Sequence, residues 1–213
     1  MKTTKKTILV TFSALLLLSF CMIWLTDKNI LTLEFLNGSG EYLTGDPVTE
    51  FTAYHDLQRW IYLSEAAYLS IKILLVSITI YTALYLKGAG CTFTDTMLVV
   101  MRAEFIFVLA ALIKSLAFTQ LFHPGTLADW HRFHPLSALS IIGNVGASWY
   151  YPLQTLNLFE IAYWFMLAWG IYRLIGGVFD RSLQMVLSSY VPALFLWTLT
   201  LSFFSVVVFP DHI

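Results

Sequence analysis

The chain has 213 residues, of which 58% are hydrophobic and only 12% are charged, whereas about a quarter of the residues in a soluble domain carry charge. Apolar runs of about 20 residues recur along it, the length that a helix needs to cross a bilayer, and they lack the alternation of barrel strands. The composition therefore predicts an all-α bundle of transmembrane helices, and the net charge of −1 gives no indication of nucleic-acid binding.

Five membrane-spanning helices are predicted, in a single integral membrane domain that covers residues 1–213. Three lysines among the first six residues precede an apolar run without a small-residue cleavage site, so we expect an uncleaved first span. Long loops at 27–60 and 123–157 are predicted on the outer side, and short turns connect the remaining spans. The predicted spans are approximately 7–26, 61–86, 97–122, 158–175 and 187–209.

The connecting segments carry signals for helix starts and for the membrane surface. Thr92 and Asp95 are placed to cap the third predicted helix. In the second outer loop, Trp130 and Trp149 are of a residue type that favours the membrane–water boundary. The apolar stretch 136–147 is too short to cross, which indicates a re-entrant or interfacial helix.

The distribution of basic residues predicts the orientation, because cytoplasmic loops carry an excess of lysine and arginine. With the N-terminus inside and the C-terminus outside, six basic residues lie on the inner side, whereas the outer loops carry three basic residues against seven acidic ones. The inner set is Lys2, Lys5, Lys6, Lys87, Arg173 and Arg181, and the outer set is Lys28, Arg59 and Arg132. We therefore expect a multi-pass protein of the inner (cytoplasmic) membrane with this orientation.

Ionisable residues inside the predicted spans are candidates for function, because charge in lipid is costly without a partner or water. Glu65, Lys72, Lys114 and Glu160 lie in the outer halves of three predicted spans, with Lys72 the deepest. The four side chains could line a solvated cavity. Alternatively, the acids could lie among headgroups while the lysines snorkel, or all four could form a buried structural network.

The third predicted span carries three ionisable residues, so we expect it to lie at the centre of the bundle. Arg102 and Glu104 occupy its inner half, and their two-residue spacing directs them to nearly opposite sides of a helix. Arg102 can reach the inner boundary through its long stem. Glu104 needs a partner on another helix, a water-filled pocket or a proton, which leaves both a structural contact and a gate, relay or partner contact open.

His123, Asp129, His131 and His134 form a cluster in the second outer loop. Imidazole and carboxylate groups are ligands for zinc and other divalent metals, although the spacing matches no established site and interfacial histidines need no metal. A membrane hydrolase that uses His131 or His134 is the enzymatic alternative. The sequence has no Gly-rich phosphate loop, nucleophile elbow or His-Glu-x-x-His helix, so no catalytic residue and no cofactor are predicted.

Residues 88–97 read Gly-x-Gly-x-Thr-Phe-Thr-Asp-Thr-Met, and Leu158-Phe159-x4-Trp164 is followed by Gly170 in the fourth predicted span. Together with the five-span pattern, these motifs resemble the Yip family of five-span membrane proteins, as seen in its bacterial relatives. The resemblance covers roughly the whole chain and implies a non-enzymatic integral membrane protein. The long cytoplasmic N-terminal region of eukaryotic members is missing from this sequence, so a trafficking-GTPase role is not implied and no site residues are inherited.

Two functional hypotheses follow from these patterns. The first is a non-enzymatic accessory or assembly component of a membrane complex, because the predicted bundle has short inner loops and no catalytic motif. It would contact the lipid bilayer and a protein partner or a second copy of itself. The alternative is a small-solute permease or a subunit of an ion-coupled transporter, with the outer-half charges as its pathway.

Overall fold

The computed structural model describes residues 4–32, 35, 47–122, 125–143 and 145–208. Within these ranges the chain forms eight helices and no strand, with one isolated β-bridge between Ser137 and Asn157. The helices are α1 (Lys5–Asn29), α2 (Pro47–Leu86), α3 (Phe93–Leu121), α4 (Leu127–Arg132), α5 (Ala138–Ile142), α6 (Ala147–Thr155), α7 (Leu158–Ile175) and α8 (Phe179–Val208).

Five of these helices are long and apolar enough to cross a membrane. The prediction of an all-helical chain with five such helices is therefore confirmed for the described residues. Large apolar side chains on the outside of the bundle, such as Phe195 and Phe203 of α8, stay exposed, as expected of helices that face lipid. The qualifying segments are Lys5–Asn29, Trp60–Leu86, Phe93–Leu121, Leu158–Ile175 and Phe179–Phe204.

Four of the five long helices begin before the predicted start of their span. Helix α7 coincides with the predicted fourth span, whereas α8 begins at Phe179 instead of residue 187. Asp180 lies in the first turn of α8, where a negative charge interacts favourably with the helix dipole. Helix α2 begins at Pro47, so part of the predicted loop 27–60 is helical, and proline is well tolerated at a first helical position.

Helix α3 begins with the capping residues that the sequence predicts. The backbone N–H of Asp95 donates to the Thr92 hydroxyl at 3.2 Å, and the backbone N–H of Thr92 donates to the Asp95 carboxylate at 3.3 Å. This reciprocal pair is a capping box and satisfies two backbone donors at the helix start.

Helix α3 packs against α1, α2 and α7, which agrees with its expected place at the centre of the bundle. Its side chains Val100 and Ala103 are fully buried, as are Leu167 and Ala168 of α7. Helix α8 packs against α7, α2 and α6. The packed faces of α2, α3, α7 and α8 thus enclose a common core, in which the site described below lies.

The short helices α4, α5 and α6 lie between α3 and α7 in the chain. Helix α4 packs aromatic rings against the end of α3, where Trp130 meets the Phe118 ring edge-on at a centroid distance of 5.1 Å. Phe133 adds a second contact, with its centroid 5.2 Å from that of Phe122. This aromatic cluster holds α4 against the end of α3.

Candidate functional site

The site begins with an ion pair between two membrane-spanning helices. Lys72 of α2 places its ammonium 2.8 Å from Oε2 of Glu104 on α3. Glu104 is only 2% exposed and Lys72 is 20% exposed. The ammonium also lies 3.5 Å from the centroid of the Phe107 ring, a cation–π contact that adds to its stabilisation.

Both residues of this ion pair lie near the middle of the bundle. At the helical rise per residue, Lys72 is about 18 Å along α2 from Trp60, and Glu104 is about 17 Å along α3 from Phe93. The two helices run in opposite directions, so these distances are measured from opposite ends. A charge at such a depth requires a partner or water, and here Lys72 and Glu104 are each other's partner.

The second carboxylate oxygen of Glu104 extends the network to α7. The Tyr163 hydroxyl donates to Oε1 of Glu104 at 2.7 Å, and Tyr163 is completely buried. Its ring packs against Phe107 at a centroid distance of 5.0 Å. Glu104 is therefore held by a cation on one oxygen and by a hydroxyl on the other.

Glu160 of α7 is a second buried carboxyl group, 5% exposed. Its Oε1 accepts hydrogen bonds from the Tyr190 hydroxyl of α8 at 2.8 Å and from the Trp164 indole N–H at 3.1 Å. Among the described residues no cation forms an ion pair with it. The Tyr163 and Tyr190 rings meet edge-on at 5.5 Å, so the two carboxyl sites are neighbours.

A cavity of about 360 Å³ opens beside this network, between α1, α2 and α3. Lys72 and Glu104 line it together with Glu65, Lys114 and Asp27. Most of the remaining wall is apolar, from residues such as Leu15, Met22, Leu69, Phe107 and Val108. The cavity therefore combines a hydrophobic wall with charged groups of both signs.

The structure divides the predicted outer-half cluster. Glu65, Lys72 and Lys114 line one cavity, whereas Glu160 lies in the hydrogen-bonded network on α7. None of these four residues forms an ion pair with another of the four within the described residues; Lys72 instead pairs with Glu104. Arg102 is exposed while Glu104 is buried, as their spacing on α3 predicts.

The sequence reasoning missed Tyr163, Trp164 and Tyr190. Neutral aromatic residues are common in apolar runs, so none of them is identified there as a site residue, and Trp164 appears only in the motif of the fourth predicted span. The available signal was the spacing on α7, where Tyr163 and Trp164 follow Glu160 by three and four residues. That spacing places them one turn from Glu160, beside its carboxyl group.

The residues of the predicted metal cluster have separate roles in the structure. Asp129 caps α4, and hydrogen bonds from the Thr126 hydroxyl and backbone N–H lower the pKa of its carboxyl group. His131 is exposed, and His123 lies outside the described residues. Within the described residues, no group of three histidine, cysteine, aspartate or glutamate side chains is placed to hold a metal ion.

His134 is a partly buried histidine of this loop. Burial first, and the positive charge of Lys114 second, lower the pKa of its imidazole from 6.5 to about 4. The Lys114 ammonium lies 4.4 Å from the centroid of the Trp130 ring, and Trp130 also lines the cavity. Helix α4 and the residues that follow it thus lie at the Lys114 end of the cavity.

The described residues define an all-helical, multi-pass membrane protein with five helices able to span a membrane. Its candidate site consists of an ion pair near the middle of the bundle and a cavity beside that pair. Comparison with protein-family models, with curated proteins and with solved structures finds no match to this chain.

Proposed function

We propose that the protein is a non-enzymatic small-solute permease or a subunit of an ion-coupled transporter. The observation that carries this proposal is the cavity that reaches Lys72 and Glu104 at the middle of the bundle. Substrate and coupling-ion sites of secondary transporters lie at this depth. A mixed apolar and charged wall is also the usual lining of a small-molecule site.

The network offers a way for solute and proton to affect one another. A solute that reached the floor of the cavity would compete with Glu104 for the Lys72 ammonium. Glu104 would then need another counter-charge or a proton, because an unpaired carboxylate at this depth is costly. Tyr163 and Tyr190 hold the Glu104 and Glu160 carboxyl groups in two neighbouring hydrogen-bonded sites, and the two tyrosine rings are in contact. A change of protonation at Glu104 would therefore occur close to a second buried carboxyl group.

The proposed orientation places the start of α1 and the short connections after α2 and α7 in the cytoplasm. It rests on the basic residues of the inner set, among them Lys87 and Arg173. The Lys114 end of the cavity then faces the outer side. We assign the protein to the inner (cytoplasmic) membrane on the same reasoning.

With Cys21 and Cys91 replaced by serine, an impermeant thiol reagent should label Gly90→Cys in everted vesicles only. Labelling of this variant in intact cells would contradict the proposed orientation.

Uptake into proteoliposomes tests the transport proposal. The full chain, reconstituted at a known orientation, is given labelled amino acids, carboxylates and amines in separate assays. We expect uptake of at least one solute by the unaltered protein and its loss in both Lys72→Leu and Lys114→Leu. Lys28→Leu is the matched control, because Lys28 also lies over a tryptophan ring, that of Trp24, outside the cavity.

Two results would contradict the transport proposal. One is unchanged uptake in both the Lys72 and Lys114 variants, and the other is no uptake of any solute by the unaltered protein. Loss of uptake in the Lys28 variant as well would show a general effect of lysine removal. Recovery of each variant at its normal yield and elution volume excludes misfolding as the cause.

An accessory or assembly component of a membrane complex is the second candidate. The observation that favours it is that, among the described residues, no buried side-chain nitrogen or oxygen lacks a hydrogen-bond partner, so the network needs no ligand. The Yip-family resemblance points the same way. Purification in mild detergent should then retain a partner or a second copy, and a monomer without cross-links in native membranes would contradict this candidate.

A further inference from the structure

We infer that the cavity between α1, α2 and α3 binds a zwitterion, a ligand with both an ammonium and an acidic group on an apolar body. This inference rests on the proposed solute-binding role of the cavity and names the class of ligand. It is carried by the charges that remain without an ionic partner after the Lys72–Glu104 pair is formed.

Lys114 is the cation that a ligand would meet. Its ammonium lies over the Trp130 ring, and among the described residues it has neither an ion pair nor a hydrogen-bond acceptor. The cavity is lined at the same end by the hydroxyls of Thr26 and Ser115, which hydrogen-bond to each other at 3.2 Å. A carboxylate or phosphate group placed beside Lys114 would gain a charge-assisted hydrogen bond.

Glu65 and Asp27 supply the opposite charge. Neither forms an ion pair within the described part of the chain, and both line the cavity. Asp27 accepts a hydrogen bond from the Gln58 side-chain amide, which leaves its negative charge in place. A purely anionic ligand would be repelled by these two carboxylates, and a purely cationic ligand by Lys114.

The heights of these groups suit one small ligand. Measured from the Lys72–Glu104 pair, Glu65 lies about 10 Å along α2, and Lys114 lies about 15 Å along α3 in the same direction across the membrane. The two groups therefore differ in height by about 5 Å by the same helical rise. The long stem of Lys114 can reduce this difference further.

The remainder of the wall selects an apolar body. Below Lys114 the cavity is lined by Ala111, Val108 and Phe107, and on the α2 side by Tyr68 and Leu69. Two sources supply a zwitterion with an apolar body. One is the headgroup of phosphatidylethanolamine, whose chains would lie along this wall, and the other is a free amino acid such as leucine.

Calorimetric titration of the purified full chain in mild detergent tests the inference. The probes are dihexanoyl-phosphatidylethanolamine and leucine as zwitterions, dihexanoyl-phosphatidylglycerol as the anion and hexylamine as the cation. We expect at least one zwitterion to bind about tenfold more tightly than both singly charged probes, which corresponds to about 1.4 kcal/mol. The tighter of the two zwitterions identifies the source as lipid or free amino acid.

Variants separate the two charges. Lys114→Met should weaken zwitterion binding about tenfold, or about 1.4 kcal/mol, without weakening hexylamine binding. Glu65→Gln should weaken zwitterion binding by about the same factor without weakening the binding of dihexanoyl-phosphatidylglycerol. Lys28→Met should leave all four affinities unchanged. Because each variant is judged on selectivity among probes, general loss of folding cannot imitate the expected result.

The inference is overturned if phosphatidylglycerol or hexylamine binds as tightly as both zwitterions, or if neither zwitterion binds. It is also overturned if Lys114→Met leaves the selectivity unchanged. Zwitterion binding without uptake of any labelled solute would instead contradict the permease proposal and leave the ligand class standing. Uptake of singly charged solutes without a preference for zwitterions would contradict the ligand class and leave the permease proposal standing.

Discussion

Lys72 and Glu104 form an ion pair across α2 and α3, with their charged atoms 2.8 Å apart near the middle of the bundle. The contact fixes the height of one helix against the other, because a shift along either axis would leave a charge without its counter-charge in an apolar surrounding. Tyr163 extends this constraint to α7 through its hydrogen bond to the same carboxylate. Three membrane-spanning helices are thus held at one level by a single acidic side chain.

Replacement of Glu104 by leucine is expected to lower the free energy of unfolding by about 3 kcal/mol, the lower part of the range for removing one partner of a buried pair. The lower part applies because Lys72 is 20% exposed and can be partly solvated by the cavity. The measurement is reversible unfolding in mixed detergent micelles. Arg102→Met, on the exposed side of α3, is the control and should change stability little.

A double-mutant cycle identifies the cause of this loss. The Lys72→Met and Glu104→Leu double variant should lose less free energy of unfolding than the two single variants lose together. We expect a difference of at least about 1 kcal/mol, because the second change removes the charge that the first change leaves unpaired. Additive losses would show that the two residues act independently, which would contradict the ion pair as a stabilising contact.

Removal of single hydroxyl groups tests the two carboxyl sites separately. Tyr163→Phe and Tyr190→Phe should each cost about 1–3 kcal/mol, because each leaves a buried acceptor without one of its donors. We expect the larger loss for Tyr190→Phe, since among the described residues Glu160 has no cation in contact and would keep only Trp164 as a side-chain donor. Thermal unfolding in detergent provides the measurement.

Tyr172→Phe is the matched control for both variants. Tyr172 also lies on α7, and its hydroxyl makes no hydrogen bond among the described residues. Its removal should change the unfolding temperature little. If all three variants had the same unfolding temperature, the proposed role of the hydroxyl groups in holding the carboxyl groups would be wrong.

Local features of this fold are predictable from the sequence. The apolar runs give the five long helices, because length and hydropathy are properties of a single segment. The capping box at Thr92 and Asp95 follows from two side chains three residues apart. The opposite exposure of Arg102 and Glu104 follows from helical geometry alone.

The pairing of Lys72 with Glu104 was not predicted, because it depends on which helices are neighbours and on their relative heights. Rise along the helices assigned Lys72 to the outer half and Glu104 to the inner half of the predicted spans. Helix α3 begins four residues before the predicted third span, which places Glu104 nearer the middle of the helix, so the assignment of halves separated two residues that are in contact. The cavity was likewise only one of three interpretations of the outer-half charges, since its walls depend on the packing of α1 against α3, which the sequence does not reveal.

Gly170 permits the close contact between α7 and α3. A Cβ atom at this position would lie 2.4 Å from Cγ1 of Val99, which is closer than the two atoms can approach. Gly170→Ala should therefore lower the free energy of unfolding by about 1–3 kcal/mol through overpacking. Val99→Ala in the same chain should recover part of that loss, because it removes the methyl group that the new Cβ would meet.

Gly90→Ala is the control for this substitution, because apart from its chain neighbours no atom of the described residues lies within 4 Å of a Cβ placed there. Its effect on unfolding in detergent should be small. A loss in Gly170→Ala that Val99→Ala does not reduce would contradict steric contact with Val99 as the cause.

The pH dependence of stability should contain a contribution from His134. Burial first, and the charge of Lys114 second, lower the pKa of its imidazole from 6.5 to about 4 in the folded protein. Between these two values the unfolded chain binds a proton at this site and the folded chain does not, so stability falls as the pH is lowered. Above 6.5 the imidazole is neutral in both states and contributes no dependence.

Unfolding temperatures at pH 7 and pH 5 measure this contribution. The decrease on going to pH 5 should be smaller in His134→Gln than in the unaltered protein, whereas His131→Gln, at an exposed position, should show the full decrease. Asp129 contributes at lower pH, because hydrogen bonds from Thr126 lower the pKa of its carboxyl group below 3.8. An equal decrease in both histidine variants would mean that another group causes the loss, and that the burial of His134 does not govern this pH range.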